Sequence, residues 1–114
     1  MIRTPMKRRP AKRKNADPEY VAWIHTLPCE LLSETACFLW ADNEATRSIE
    51  AHHAGDHGLG QRAPDRTCIP LCAWHHRLGP ESAHVLGKRF WEHHGIDRDT
   101  LVRELNERYE IEHA

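Results

Sequence analysis

Long apolar runs are missing from this chain of 114 residues: none approaches the roughly 18 residues that a membrane-spanning helix needs. The basic amino terminus is not followed by the apolar stretch and small-residue cleavage site of a secretory signal. The expectation from both is a soluble, cytoplasmic chain with no membrane partner. Internal repeats are absent as well, which excludes a solenoid or a propeller. The length leaves room for one small domain. Phe and Tyr are scarce, two of each beside four Trp, so burial alone gives a marginal core. Domains near this size often rely on a staple, and in a reducing compartment a metal serves better than a disulfide.

Acidic residues are missing from positions 1–15, which hold seven cations: Arg3, Lys7, Arg8, Arg9, Lys12, Arg13 and Lys14. The rest of the chain carries nine cations against 17 acids, although the net charge of the whole is only −1. Pro5 and Pro10 interrupt any helix there, so 1–15 reads as a disordered basic arm and 16–114 as the folded domain. Such an arm suits phosphate contact through Lys7, Arg8, Arg9, Lys12, Arg13 and Lys14, the plainer reading being a solvated tail.

Along the domain, Asp17-Pro18-Glu19 predicts a helix from Pro18 to about His25, with Tyr20, Trp23, Ile24 and Leu27 facing the core. Residues 29–47 are irregular, with Ala36 to Trp40 apolar enough for a short buried strand or turn. Ser48 to His53 predicts a strand, Ala54 to Asp65 a Gly-rich loop, and Thr67 to Cys72 a second strand that Pro70 confines to an edge or a strand end. Ala73 to Leu78 starts a helix broken at Gly79-Pro80. Ser82 to His94 predicts one continuous helix with Gly95 at its end, and Asp97 caps a last helix carrying Leu101, Leu105 and Tyr109. His93 and His94 suit capping at the negative end of their helix, while Trp74 and Trp91 read as core.

What the chain does have in quantity is histidine, ten residues, with four cysteines. Cys72-x-x-His75 has the two-residue spacing of a zinc knuckle. Cys29 and Cys37 are the expected partners, giving a structural zinc on Cys29, Cys37, Cys72 and His75, with Cys68 as the alternative ligand or a small buried hydrophobe. Adjacent His52 and His53 at a strand end point to opposite faces and so suit different work.

The segments Glu50-Ala51-His52-His53, Pro64 to His76 and Ser82 to Trp91 together resemble the HNH endonucleases of the ββα-metal class. More narrowly they are similar to the phage-derived branch that includes the RecA-dependent recombination-enhancement nuclease. The resemblance covers roughly residues 18–109. It implies an α+β ββα-metal (His-Me finger) domain with flanking helices. It also implies a catalytic divalent metal (Mg2+, Mn2+, Ni2+ or Zn2+) on His52 and His76, with His84 as third ligand because Pro80 stands where a second helical ligand is expected. By the same resemblance His53 is the general base, and Asp65 takes the middle position of the motif, holding the loop or orienting His53, with simple turn formation as the plainer reading.

Arg62 and Arg66, on the loop near the site, are candidates to grip a scissile phosphate bidentately, whereas Lys88 and Arg89 suit either phosphate contact or a solvated helix face. The expected function is metal-dependent hydrolysis of DNA phosphodiesters in phage recombination or DNA processing. DNA is the partner, and a recombinase filament is a further one by resemblance. The rival is a non-catalytic zinc module that binds nucleic acid or protein.

Overall fold

A computed structural model describes residues 15–31, 48–56 and 63–114. The basic arm, the Ala36–Trp40 segment, Cys37 and Arg62 lie outside these residues. The architecture is that of a small α+β domain: a two-stranded antiparallel sheet with several helices around it.

Helix α1, Pro18–Ile24, forms where local signals agree. The Asp17 side chain accepts from the Tyr20 amide at 3.2 Å, proline occupies the first turn, and Glu19 meets the positive helix end. Tyr20, Trp23, Ile24 and Leu27 are all buried, as their helical spacing predicts. Strand β1, Ile49–His53, pairs with β2, Cys68–Cys72, in a register that sets His52 opposite Ile69 and His53 opposite Cys68. Pro70 sits in the middle of β2, where its missing N–H would break a ladder bond. Its carbonyl instead accepts from the Glu30 amide at 3.0 Å, so its polar side faces away from β1 and nothing is lost.

After β2 the chain turns at once into a short π-helical segment, Trp74–Leu78, closed by the Gly79 amide on the Trp74 carbonyl at 2.8 Å. The continuous helix expected over Ser82 to His94 is two helices instead, α2 (Ala83–Leu86) and α3 (Arg89–His94). The break is at Gly87, whose φ of 58° and ψ of −131° lie where L side chains are strained, so the chain turns a corner inside the expected helix. Helix α4, Arg98–Glu112, starts on the Asp97 cap and buries Leu105 and Tyr109.

The core joins Tyr20, Ile24, Ile69, Leu71, Phe90, Leu105 and Tyr109 across the sheet and helices. Trp74 and Trp91, expected inside it, are half-buried at its margin. His93 and His94 lie in the last turn of α3, ahead of the Gly95 cap, and also reach Glu81: the His94 Nε2–H donates to its carbonyl at 2.8 Å, and His93 lies 3.4 Å from its carboxylate. Among the described residues no helix is long and apolar enough to cross a membrane.

Candidate metal centres and the imidazole beside them

The period of two along β1 places Glu50 and His52 on one face and His53 on the other. His76 from the π-helical segment and His84 from α2 converge on the first face. The three imidazoles lie with ring centroids 4.6 Å apart for His76 and His84, 5.1 Å for His52 and His76, and 6.5 Å for His52 and His84. One ligand nitrogen from each comes within 4.8 Å of the others, so the cluster is able to hold a metal ion. Burial, reinforced by His76, His84 and His53, pushes the His52 imidazole down to about 4. Burial also lowers His76, against the opposing hydrogen bond of Glu50. Both rings are therefore neutral near pH 7, the form in which a histidine ligates.

Glu50 is a residue of the candidate site that the sequence did not single out. Its carboxylate accepts from the Nδ1–H of His76 at 2.8 Å and from the Nε–H of Arg77 at 3.0 Å. Burial alone would raise the Glu50 carboxyl, and the hydrogen bonds from Arg77 and His76 override it and hold it below the usual carboxylate value. With Nδ1 committed to Glu50, the Nε2 lone pair of His76 remains for a metal, an arrangement that fixes both tautomer and ring angle. The signal was legible, since Glu50 precedes His52 by two residues on a strand. Glu50→Gln is expected to weaken metal binding at the His52/His76/His84 cluster by about 10–100-fold without changing the melting profile. Competition against a chromophoric chelator measures it, and an unchanged affinity would remove Glu50 from this role.

A second cluster lies on the other side of His76 in sequence. Consecutive residues of a helical turn diverge by roughly a quarter-turn, so His75 points inward where His76 points to the open cluster. Cys29, Cys72 and His75 are all buried, with ligand atoms within 4.8 Å of one another. His75 Nδ1 lies 3.3 Å from the Cys72 sulfur and 3.8 Å from that of Cys29. Backbone amides point at both sulfurs, Leu31 N to Cys29 at 3.4 Å and His75 N to Cys72 at 3.5 Å. The hydrogen bond between the two sulfurs raises Cys29 and lowers Cys72, and the His75 side chain and amide lower Cys72 further, which favours the thiolate form that ligates a metal at Cys72.

Cys37, the other expected ligand, lies outside the described residues. Cys68 does not replace it: it stands four residues before Cys72 on β2, roughly 13 Å away at strand rise, and is fully buried in the core. Distance, rather than the face of the strand, is what separates it from the knuckle.

His53 faces away from the three-histidine cluster; on the face it shares with Cys72 it stands at the other end of the strand pair, opposite Cys68. Its Nε2–H donates to Asp65 Oδ1 at 2.8 Å, which leaves the Nδ1 lone pair as a proton acceptor. Asp65 is itself buried, and its Oδ2 accepts from the Asp17 amide at 2.8 Å. The orienting role for Asp65 thus has its geometry, on the short 3-10 turn Asp65–Thr67 that leads into β2. Arg66, expected to grip a phosphate, is committed elsewhere. Its guanidinium donates to Asp17 at 2.7 Å and to Glu110 at 2.8 Å, and it stacks over the Tyr20 and Tyr109 rings at 4.9 and 4.8 Å. It ties α1 to α4 beneath the loop that carries Asp65. Of the remaining phosphate candidates, Lys88 and Arg89 are exposed, and Arg62, Lys7, Arg8, Arg9, Lys12, Arg13 and Lys14 fall outside the described residues.

No protein-family profile, curated protein or solved structure matches the chain.

Proposed function

We propose that this chain is a metal-dependent DNA endonuclease of the ββα-metal type. The observation that carries the reading is the division of labour at the end of β1, where His52 joins a cluster of three imidazoles while its neighbour His53 is held by a buried carboxylate. A site built only to hold a metal has no use for the second histidine.

The residues fit the implied ions. Three imidazoles without a carboxylate suit Zn2+ or Ni2+ better than Mg2+ or Mn2+, which prefer oxygen ligands. Two cysteines and a histidine in a buried site suit structural zinc. A divalent ion held by His52, His76 and His84 would supply charge stabilisation for the scissile phosphate and the leaving 3′ oxygen. The chain's own residues do the rest. His53 Nδ1 accepts the proton of the attacking water, and Asp65 keeps the ring in the tautomer that allows it and stabilises the imidazolium that forms. The Asp17 amide fixes the second Asp65 oxygen, so the carboxylate cannot rotate away from His53. Glu50 keeps His76 aimed at the ion.

The test is nicking of supercoiled plasmid by the purified protein with Zn2+, Ni2+, Mg2+ and Mn2+ supplied in turn. Metal-dependent conversion to open circles supports the reading. Failure to cut any nucleic acid under all four ions overturns it in favour of a zinc-containing binding module.

The basic arm belongs to the same proposal as a phosphate-binding tail. Asn15 is excluded from the truncation because its carbonyl accepts from the Asp65 amide at 3.1 Å. Deleting residues 1–14 removes all seven cations of the arm. It is expected to weaken DNA binding and to flatten the slope of log affinity against log salt by up to about six, at 0.9 per phosphate contact. Titration at several salt concentrations measures this, and an unchanged slope would show that the arm makes no phosphate contact.

A further inference from the structure

Beside the histidine cluster the surface opens into a groove of about 570 Å³, within the 300–1,000 Å³ typical of small-ligand sites. His52, Trp91, Lys88 and Arg98 line it, with the Asp56 carboxylate beside Arg98. The Trp91 ring is half-buried and fixed: Phe90 packs edge-on against it at 5.1 Å, and the His52 ring lies 6.0 Å away at 33°. Gly87 and Gly55 contribute backbone without side chain. At Gly87 an added Cβ would meet nothing within 4 Å, so the absent side chain leaves open space, whereas at Gly55 it would strike Thr67 at 2.6 Å. Lys88 is exposed. Arg98 is held at 3.2 Å by Asp56 and at 3.1 Å by Asp99, two carboxylates that are each 86% exposed. Ion pairs so open to water are weak, and a phosphate competes with them.

We propose that this groove seats an unpaired stretch of DNA, one base against the Trp91 indole and its phosphates on Lys88 and Arg98, leading the strand to the histidine cluster. The placement of the scissile bond rests on the endonuclease reading; the binding itself does not. A fixed indole on a groove wall offers a face for stacking, and a base can present its own face only when it has left the duplex. Lys88 and Arg98 in the same lining suit the backbone of that strand, and the mixed lining suits neither a wholly apolar ligand nor a small anion. The substrate class that follows is single-stranded or locally opened DNA rather than closed duplex.

Anisotropy of a labelled, cleavage-resistant phosphorothioate oligothymidine, compared with a phosphorothioate duplex of equal length on the metal-replete protein, tests this. The single strand is expected to bind about tenfold tighter or better. Trp91→Ala is expected to weaken it by about tenfold, in the range of losing one stacked base, while Trp91→Phe stays close to the parent. Lys88→Ala is expected to lower the salt slope by about 0.7, one phosphate contact on a single strand. Equal binding of duplex, or unchanged single-strand affinity in a folded Trp91→Ala, overturns the proposal. If Trp91→Ala does not fold, Trp91→Leu with Lys88→Ala serves instead, and parental affinity and slope in both overturn it equally. Plasmid nicking separates the two readings. Protein that binds single strands through Trp91 but cuts nothing keeps the groove and loses the nuclease. Protein that nicks while Trp91→Ala binds as the parent loses only the groove.

Discussion

His53→Ala is expected to slow plasmid nicking by about 10²–10⁴-fold while the protein keeps its full complement of bound metal. The substitution removes the proton acceptor for the attacking water and touches neither ligand cluster, because the His53 ring lies on the opposite face of β1 from His52 and bonds only through Nε2 to Asp65 among the described residues. His76→Ala makes the necessary contrast. It removes a member of the three-histidine cluster, so activity and about one equivalent of metal should be lost together. The two variants look alike in the nicking assay and different in elemental analysis. Parental cutting by His53→Ala under every ion that supports the wild type, or loss of a metal equivalent from it, would refute the assignment. Asp65→Asn should also slow nicking with metal retained, by less than His53→Ala, since an amide still fills the space but no longer stabilises the imidazolium that forms on His53.

Stripping the metal from Cys29, Cys72 and His75 is expected to unfold the domain. These ligands bring together the segment after α1, the end of β2 and the π-helical turn, and the core they brace is small. The apparent binding energy of a structural zinc, about 10–16 kcal/mol in small zinc peptides, is as large as the whole stability of an ordinary domain, about 5–15 kcal/mol. A strong chelator at neutral pH should therefore abolish the cooperative melting transition followed by circular dichroism, and restoring Zn2+ should return it. Cys72→Ser should reproduce the chelated state, whereas Cys68→Ser, set apart along β2, should keep the zinc and lower the stability only by the cost of a buried hydroxyl, about 1–3 kcal/mol. Protein purified without chelator that melts cooperatively and contains no zinc would overturn this.

Much of the local structure was legible in the order of residues. The Asp17-Pro18-Glu19 start of α1, the two strands, the Asp97 cap and the buried Leu105 and Tyr109 stripe of α4 all lie where caps and periodicity put them. Such signals act within one or two turns of chain, so they survive without knowledge of the fold. The separation of His52 from His53 was equally legible, because the period of a strand fixes it. The division of the Ser82–His94 helix was not legible for a related reason: an interior glycine and a corner glycine look alike until φ is known, and at Gly87 it is 58°.

The sequence by itself determined which chemistry the chain carries: neighbouring histidines at a strand end, a Cys-x-x-His knuckle, and a capped helix on each side. Only the tertiary structure decided how those groups are paired. Cys29 meets His75 across 46 positions, Arg66 reaches Asp17 and Glu110 across 49 and 44, and Glu50 finds His76 across 26. No periodicity connects residues so far apart. Their meeting follows from α1 and α4 packing on the sheet, which aims Arg66 at two acids instead of at solvent and makes a clasp of what the sequence offered as a phosphate contact.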